Sequence, residues 1–480
     1  MNTRFVLYML GRIMWLGALL LTLPLLISFL YGDNVHFAFI APIIALLLIG
    51  LALSRKTPKN KAIFAREGFF IVALSWILLS LFGALPFFLS GAIPSYLNCL
   101  FETVSGLTTT GASILSNVEA LPHSLLFWRS FTHWIGGMGV LVFMMAVLPL
   151  SDTHSVYLMR AEVPGPQVGK LVSKIRFTVR ILYGIYIALT ALQVIFLLFG
   201  GMPLFDSVVH AFATAGTGGF SIKNSSIAYY NSAYIEGVVG VFMILFGINF
   251  NIFYLLLAGN ILRALKSEEL HWYLAIITVS ITAITLNILP HYEGVAKAFR
   301  AAFFQVSSII TTTGFATADF NQWPGFSKTI LVLLMFFGAC AGSTGGGIKI
   351  ARLIILIKTA GREIRHMLSP RSVSSVKLEG QALSREVTTG VNTFFTVYML
   401  VVGGSMLLLM LDRFGMTTSF TAVIACINNI GPGLELVGPM GNYAAFSPMS
   451  KIVLIFDMLA GRLELFPILM LFSAAAWRRR

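Results

Sequence analysis

The sequence predicts an all-α membrane protein made of four pseudo-repeated units, preceded by two extra transmembrane helices. Three observations lead to this fold class. Of the 480 residues, 57% are hydrophobic and 11% are charged, which is more apolar surface than a core surrounded by water can bury. Ten apolar runs are long enough to cross about 30 Å of hydrocarbon. Four further apolar runs are too short to cross, and each ends at a glycine.

The long runs predict ten membrane spans, with ends placed to within several residues. The first run is too long and apolar for a signal-peptide core and has no small-residue cleavage site after it, so we expect it to remain as a span. The spans lie near 5–31, 37–53, 68–91, 125–150, 177–201, 233–262, 271–290, 326–357, 390–411 and 448–476.

The distribution of Lys and Arg among the connections predicts the orientation of the spans. One alternate set holds 20 Lys and Arg, namely 54–67, 151–176, 263–270, 358–389 and the tail 478–480. The other set holds 4, namely 32–36, 92–124, 202–232, 291–325 and 412–447. Because Lys and Arg are enriched in cytoplasmic loops, both termini are expected on the cytoplasmic side. The net charge of +14 then reflects membrane topology and does not indicate nucleic acid as a partner.

The four short runs predict re-entrant half-helices on the outer side, near 96–107, 204–215, 297–310 and 418–427. Each leads into a segment that we call a glycine turn. Turn 1 is Thr108, Thr109, Thr110 and Gly111; turn 2 is Gly216, Thr217, Gly218 and Gly219; turn 3 is Thr311, Thr312, Thr313 and Gly314; turn 4 is Asn428, Asn429, Ile430 and Gly431.

Aligned on their glycines, the four turns reveal internal repeats. FETVSGLTTTG and FQVSSIITTTG, which end at Gly111 and Gly314, match over a longer stretch than the other turns, with Phe101 and Phe304 each ten residues before the glycine. Repeats of this kind usually reveal the architecture of a transport protein. The predicted units are the extra pair of helices at 1–60, followed by repeats 1 to 4 at 61–160, 161–268, 269–380 and 381–480.

Four re-entrant turns entering from one face predict a pore for cations. Non-helical backbone at membrane depth is tolerated only where protein buries it or where it lines a water-filled cavity. Backbone carbonyls and Thr hydroxyls replace the water around an ion, and glycine permits the positive φ that points carbonyls towards one axis. The negative C-terminal ends of the half-helices favour a cation. The turns contain no Asp or Glu ring of the kind that divalent-selective pores often use.

The eighth span contains a glycine-rich interruption that we interpret as a gate. Residues 326–337 cover only about 18 Å as a helix, and a run of small residues follows. Close helix packing through small residues is an alternative. A phosphate loop is rejected because Ile348 stands where the lysine would follow Gly347. The candidate gate residues are Gly342, Ser343, Thr344, Gly345, Gly346, Gly347 and Lys349, although Lys349 also fits a positive-inside residue.

Other polar residues within the apolar segments are candidates for a role in the pore. Arg462 lies too deep in the last span to reach either interface, so it is expected to point inward. It either lowers the local cation occupancy of the pore or holds helices together through an ion pair or carbonyl contacts. Glu102, Asp206 and His210 lie on the half-helices, where they either hold these helices in place or tune the outer mouth.

An enzyme is the alternative class of function, and the sequence does not favour it. It contains no His and carboxylate pair at metal-binding spacing, no GxSxG motif and no neighbouring Cys and His. We therefore expect no catalytic residues, no structural metal and no cofactor. Cys99, Cys340 and Cys426 lie far apart in apolar surroundings and are expected to be small packing residues.

The motifs TTTGAS, GTGGFS, TTTGFAT, NNIGPGL, GACAGSTGGGIK and GRLELF resemble the Trk/Ktr superfamily of potassium uptake proteins, and most closely its bacterial TrkH-like pore-forming subunits. The resemblance covers essentially the whole chain. It implies a potassium pore inside each subunit, with potassium bound in a selectivity filter formed by the glycine turns. It also implies an intramembrane gate at the glycine-rich interruption and a pore role for Arg462.

The resemblance further implies a homodimer in the bacterial inner membrane, controlled by a cytoplasmic nucleotide-binding ring protein of the TrkA/KtrA kind. This sequence departs from the most regular filters in repeat 4, where Asn-Asn-Ile replaces threonines. Four unequal turns should discriminate less sharply than four identical ones. A less selective monovalent cation channel and a potassium symporter coupled to Na⁺ or H⁺ therefore stay open as alternatives.

Overall fold

A computed structural model describes residues 2–56, 58, 65–139, 175–371 and 375–477. Within these ranges the chain is almost entirely helical, which confirms the all-α fold class. Six of the described helices are long and apolar enough to cross a membrane, and a bent helix pair makes a seventh candidate. The predicted residues 140–150 of the fourth span, most of the connections 54–67 and 151–176, and the tail 478–480 lie outside the described residues.

The two extra N-terminal helices, α1 (Thr3–Tyr31) and α2 (His36–Ser54), form a hairpin. The chain reverses at Gly32, which has a φ of 67°. The two helices cross closely at Gly11 and Gly50, since a Cβ at Gly11 would lie 2.8 Å from the Gly50 carbonyl oxygen. Small residues allow such an approach between apolar helices.

The remaining described helices are grouped below by the predicted repeats. In repeats 1 and 2 they are α3 (Ala65–Gly83), α4 (Leu85–Leu89), α5 (Tyr96–Leu107), α6 (His123–Met138), α7 (Ile175–Phe199), α8 (Leu204–Ala215), α9 (Ala233–Phe246), α10 (Phe250–Leu257) and α11 (Ile261–Leu265). In repeats 3 and 4 they are α12 (Glu268–Ile288), α13 (Val295–Ile310), α14 (Gly325–Phe336), α15 (Ile350–Leu368), α16 (Arg385–Leu409), α17 (Met416–Ile427), α18 (Pro448–Arg462), α19 (Phe466–Leu471) and α20 (Ala474–Trp477). Single 3₁₀ turns lie at Ser226–Tyr230, Leu289–His291, Phe320–Gln322, Met410–Asp412 and Glu435–Val437.

The half-helices agree with the prediction. Half-helices 1 and 2 have the predicted bounds, and half-helices 3 and 4 begin two residues earlier than predicted. Each ends immediately before its glycine turn. None of the four half-helices has a side-chain hydrogen bond at its N-cap residue.

The predicted span 233–262 is wrong in one respect, because the helix does not continue. It bends by 90° between Phe246 and Phe250. The backbone groups released at the bend bond to the glycine-rich segment of repeat 3. The Cys340 N–H donates to the Gly247 carbonyl over 3.0 Å, and the Phe250 N–H donates to the Gly342 carbonyl over 3.1 Å. A break in a membrane helix is tolerated where neighbouring protein satisfies its backbone in this way.

The predicted last span, 448–476, is also broken, directly after Arg462. Glu464 and Leu465 have φ values of 58° and 65°, which end the helix, and a new helix begins at Phe466. The Leu465 N–H donates to the Ala460 carbonyl over 2.7 Å. The break therefore exposes the polar residues of the GRLELF motif to neighbouring elements.

A small hairpin between α15 and α16 was not predicted. β1 (Lys377–Leu378) pairs antiparallel with β2 (Gln381–Ala382). Its turn consists of Glu379 and Gly380, both with positive φ, which is typical of a two-residue hairpin turn. This hairpin lies on the predicted cytoplasmic side of the molecule.

Candidate functional site

The four glycine turns follow one backbone path despite their different sequences. In each turn the residue two positions before the glycine adopts a left-handed conformation, which is uncommon for residues other than glycine. These residues are Thr109 at a φ of 57°, Thr217 at 53°, Thr312 at 58° and Asn429 at 54°. The final glycines also have positive φ, from 75° to 93°. The four turns are therefore structural equivalents.

The turns form a closed ring. Each final glycine packs against the residue that precedes the glycine of the next turn: Gly111 against Gly218, Gly219 against Thr313, Gly314 against Ile430, and Gly431 against Thr110. A Cβ at any of these glycines would lie under 3.0 Å from the neighbouring carbonyl oxygen. Because turn 4 contacts turn 1, the four turns surround one axis within a single chain.

Polar contacts join each repeat to the next around this ring. They are Arg129 to the Ser221 carbonyl between repeats 1 and 2, Arg300 to Glu236 between repeats 2 and 3, Asn321 to the Glu435 backbone between repeats 3 and 4, and Lys451 to Asn98 between repeats 4 and 1. The Arg300 and Glu236 pair is bidentate, at 2.5 and 2.6 Å. Each interface of the ring therefore has its own polar link.

The side chains of the four turns are not equivalent. In turn 1 the hydroxyl oxygens of Thr108 and Thr110 lie 2.7 Å apart. Turn 3 repeats this pair between Thr311 and Thr313 at 2.8 Å. In turn 4, the Asn429 Nδ2 donates to the Thr110 hydroxyl over 3.0 Å and to the Met458 carbonyl over 2.9 Å. Turns 1 and 3 thus share both sequence and side-chain bonding, and turn 4 bonds across to turn 1.

A buried ion pair holds the segments that follow turns 1 and 2. Arg129 Nε lies 2.6 Å from Glu102, and the guanidinium lies 3.5 Å from the centre of the Phe220 ring. The Glu102 carboxylate also accepts the Ser113 hydroxyl and the Ile114 N–H, both at 3.0 Å. Both charged side chains are almost fully buried. Glu102 is therefore bonded inside the protein, which fits the interpretation that it holds its half-helix in place.

The other polar residues of the half-helices are bonded in a similar way. His210 Nε2 lies 2.9 Å from the Ser221 hydroxyl, and Asp206 accepts the Tyr230 hydroxyl over 2.6 Å. Both contacts join half-helix 2 to the segment after turn 2. These contacts place Asp206 and His210 among the groups that position the turn.

Sequence reasoning missed His133, which lies directly behind turn 2. Its Nε2 accepts the Phe220 N–H at 3.2 Å, so the ring proton resides on Nδ1, which donates to the Gly106 carbonyl at 2.8 Å. A Cβ at Gly218 would collide with this imidazole. A fully buried histidine and a buried arginine in one apolar run are unusual in a membrane, and that signal identifies both His133 and Arg129.

The predicted interruption of the eighth span is present as a non-helical segment, Gly338–Lys349, which we call the glycine loop. The Gly346 N–H donates to the Thr312 hydroxyl over 2.7 Å. A Cβ at Gly345 would lie 3.1 Å from the Thr311 carbonyl oxygen. The consecutive glycines therefore pack against the half-helix ends of the turns, on the side opposite the ring of final glycines.

Two positively charged side chains donate hydrogen bonds to carbonyls of the glycine loop. Lys349 is 1% exposed and donates to the Gly345 carbonyl, so it lies inside the protein and not at its edge. Arg462 donates to the Thr344 carbonyl and the Gly137 carbonyl, both at 2.9 Å, and to the Gly136 carbonyl. Arg462 thus makes the carbonyl contacts expected of a residue that holds helices together. It also places a positive charge beside the loop.

A further ion pair follows the loop. Arg352, in the first turn of α15, makes a bidentate pair with Glu464 at the break of the last span. The same guanidinium lies 3.9 Å from the centre of the Phe394 ring. The polar residues of the GRLELF motif therefore contact both the middle of the glycine loop and the helix that follows it.

Comparisons with known proteins agree with this geometry. Residues 35–479 match the family TrkH, described as cation transport protein. The chain is 37% identical over 484 residues to the Trk system potassium uptake protein TrkH of Salmonella typhimurium, and 34% identical over 488 residues to that of Halomonas elongata, with 100% of each chain covered. Its fold is similar to the crystal structure of the potassium transporter TrkH from Vibrio parahaemolyticus, with a TM-score of 0.89, 33% identity and full coverage of both chains. The relatives are transport proteins by name, and the chain belongs to the TrkH family of cation transport proteins.

Proposed function

We propose that this chain takes up potassium through a pore inside each subunit, with the four glycine turns as its selectivity filter. The proposal depends chiefly on the closed ring in which each glycine contacts the carbonyl of the next turn. Such a ring presents oxygens from four sides to an ion that has lost its water. The names of the relatives, potassium uptake proteins, support potassium as the ion.

The unequal turns favour one alternative, a less selective monovalent cation channel. Turns 1 and 3 contribute paired threonine hydroxyls, whereas turn 4 contributes asparagine amides and Ile430. Potassium over sodium selectivity depends on the number and field strength of the oxygens around the ion. A filter whose four turns do not all present the same oxygens is expected to select less strictly than a fourfold symmetric one.

The glycine loop acts as the gate in this proposal. It lies against the inner ends of turns 3 and 4, where an ion leaving the filter would pass. Opening requires the loop to break its bonds to the Thr312 hydroxyl and to Arg462. Arg462 then acts in two ways, by holding the loop closed and by lowering cation occupancy below the filter.

A potassium symporter is the second candidate for the energetics of uptake. Its support is Asp457, a fully buried carboxylic acid on α18 that accepts the Ser405 hydroxyl over 2.7 Å. Ionisable residues at membrane depth often belong to proton pathways. Without coupling, the membrane potential alone drives uptake, by about 2.3 kcal/mol per 100 mV for each monovalent ion.

The proposed assembly is a homodimer in the bacterial inner membrane, with both termini in the cytoplasm and a cytoplasmic nucleotide-binding ring protein as regulator. The distribution of Lys and Arg supports the orientation. The relatives are named as parts of a Trk system, which supports a partner protein. The family resemblance supports the dimer and the nucleotide-binding character of the partner.

Uptake of ⁸⁶Rb⁺ into liposomes that contain the purified full chain tests the proposal. Potassium and rubidium are expected to compete, and sodium to compete weakly. Equal competition by sodium would favour the less selective monovalent cation channel over a potassium-selective filter. Uptake that follows an imposed proton or sodium gradient at zero membrane potential would identify a symporter, and the absence of any cation flux would refute a pore.

A further inference from the structure

One buried carboxylate contacts both the glycine loop and the first turn of α15, the helix that follows it. Glu269 lies in the first turn of α12, and its Oε1 accepts the Ala341 N–H over 2.7 Å and the Ala351 N–H over 3.1 Å. These two donors flank the consecutive glycines that contact turns 3 and 4. The side chain of Glu269 is 6% exposed, so the contacts are shielded from water.

The convergence of two N–H groups on one oxygen couples the first part of the loop to the start of α15. Hydrogen bonds to a charged acceptor are about twice as strong as those between neutral groups. Without the carboxylate, two buried N–H groups lose their acceptor, which is costly. Glu269 therefore stabilises the closed loop by fixing Ala341 relative to α15, while Lys349 and Arg462 bond to the middle of the loop.

The β-hairpin holds the start of the same helix. Glu379, at the hairpin turn, accepts the Ser267 hydroxyl over 2.9 Å and the Glu269 N–H over 3.2 Å. Lys358 on α15 donates to the Lys377 carbonyl of the hairpin over 2.8 Å and pairs with Glu268. A continuous set of bonds thus runs from an exposed turn to the backbone of Glu269, and from its carboxylate to the loop.

We propose that Glu269 is a positioning residue that keeps the glycine loop closed, and that Glu379 transmits movement of the hairpin to it. A protein that binds the hairpin from the cytoplasmic side and displaces it would shift the start of α12. The carboxylate would then move away from Ala341 and Ala351, and the loop would open. This inference rests on the proposed function of the loop as a gate.

Basal ⁸⁶Rb⁺ flux through the full-length protein in liposomes tests the inference. Glu269→Ala is expected to raise basal flux by about tenfold, and Glu269→Gln by less, because the amide oxygen still accepts hydrogen bonds. Glu379→Ala should raise it as well. Glu363→Gln is the control, since Glu363 is an exposed residue on α15 that pairs with its neighbour Arg362. Single-channel conductance and the potassium to sodium permeability ratio should stay unchanged, because the filter is intact.

Deletion of Gly345–Gly347 distinguishes failure of this inference from failure of the gate. If the deletion raises flux and the folded Glu269 variants do not, Glu269 has no positioning role and the gate stands. If neither raises flux, the loop is not a gate. If the Glu269 variants do not fold, Glu379→Ala provides the test, because Glu379 lies outside the membrane. Unchanged basal flux in the Glu379→Ala protein overturns the inference. A changed permeability ratio in Glu269→Gln would show an effect on the filter and would also overturn it.

Discussion

Replacement of Gly314 by serine tests the filter directly. Gly314 has a φ of +86°, and its Cα faces the Ile430 carbonyl of the next turn. A serine Cβ would lie under 3.0 Å from this oxygen and 2.8 Å from Cδ of Pro432. The substitution therefore combines backbone strain with a collision inside the ring.

The magnitude follows from these two effects. The left-handed conformation costs a residue with a Cβ about 1–2 kcal/mol. Forcing an extra carbon into a packed site costs about 1–3 kcal/mol. Moving the Ile430 carbonyl relieves the collision but withdraws one oxygen from the ring. The two costs add to about 2–5 kcal/mol. We expect about 1.4 kcal/mol of this to weaken potassium binding relative to sodium binding and the rest to destabilise the fold, which corresponds to a potassium to sodium permeability ratio about tenfold lower in Gly314→Ser.

The assay is ion flux into liposomes under potassium and sodium gradients, with two matched controls. Gly294 has a φ of +117° and open space around it, so Gly294→Ser isolates backbone strain. Gly325 has neither positive φ nor a close neighbour, so Gly325→Ser isolates the added hydroxyl. Both controls should keep the wild-type ratio. A folded Gly314→Ser protein with wild-type selectivity would refute the assignment of turn 3 to the filter.

Three further predictions concern the loop and the ion pairs around it. Deletion of Gly345–Gly347 should raise leak flux in liposomes, and unchanged flux would favour a packing role. If the charge of Arg462 acts on ions, Arg462→Gln should raise single-channel conductance and Arg462→Lys should leave it unchanged. An equal rise in leak flux for both variants would indicate that Arg462 acts through its carbonyl contacts instead. Arg129→Met should destabilise the protein by about 3–5 kcal/mol, because it leaves Glu102 buried without its cation. Adding Glu102→Gln should recover part of this loss in thermal unfolding, and two additive losses would contradict coupling of the pair.

The sequence predicted the parts of the fold that depend on local pattern. The half-helices are short apolar runs that end at glycines, and their bounds agree with the prediction within two residues. The glycine loop was also predicted, because a helix rarely continues through three consecutive glycines within a run of small residues. The equivalence of repeats 1 and 3 reappears as the same pair of threonine hydroxyls in each turn.

Breaks that depend on distant partners were not predictable in this way. The bend after Phe246 occurs in an apolar run, and its released backbone groups bond to Cys340 and Gly342, which lie far along the chain. Arg129 and His133 were missed for a similar reason. Arg129 pairs with Glu102, 27 residues earlier, and the other bonds of Arg129 and His133 go to backbone groups of repeats 1 and 2, which no sequence spacing marks.

The closed ring within one chain has a consequence for genetics. In a channel assembled from four identical subunits, a point mutation alters every quarter of the filter, and mutant subunits impair the channels that they form with wild-type subunits. In the proposed pore, one codon change would alter a single quadrant, and two copies of the gene would encode separate pores. A defective allele is therefore expected to be recessive for permeation. The four quadrants are also free to diverge one at a time, and the asparagines of turn 4 are an instance of that freedom.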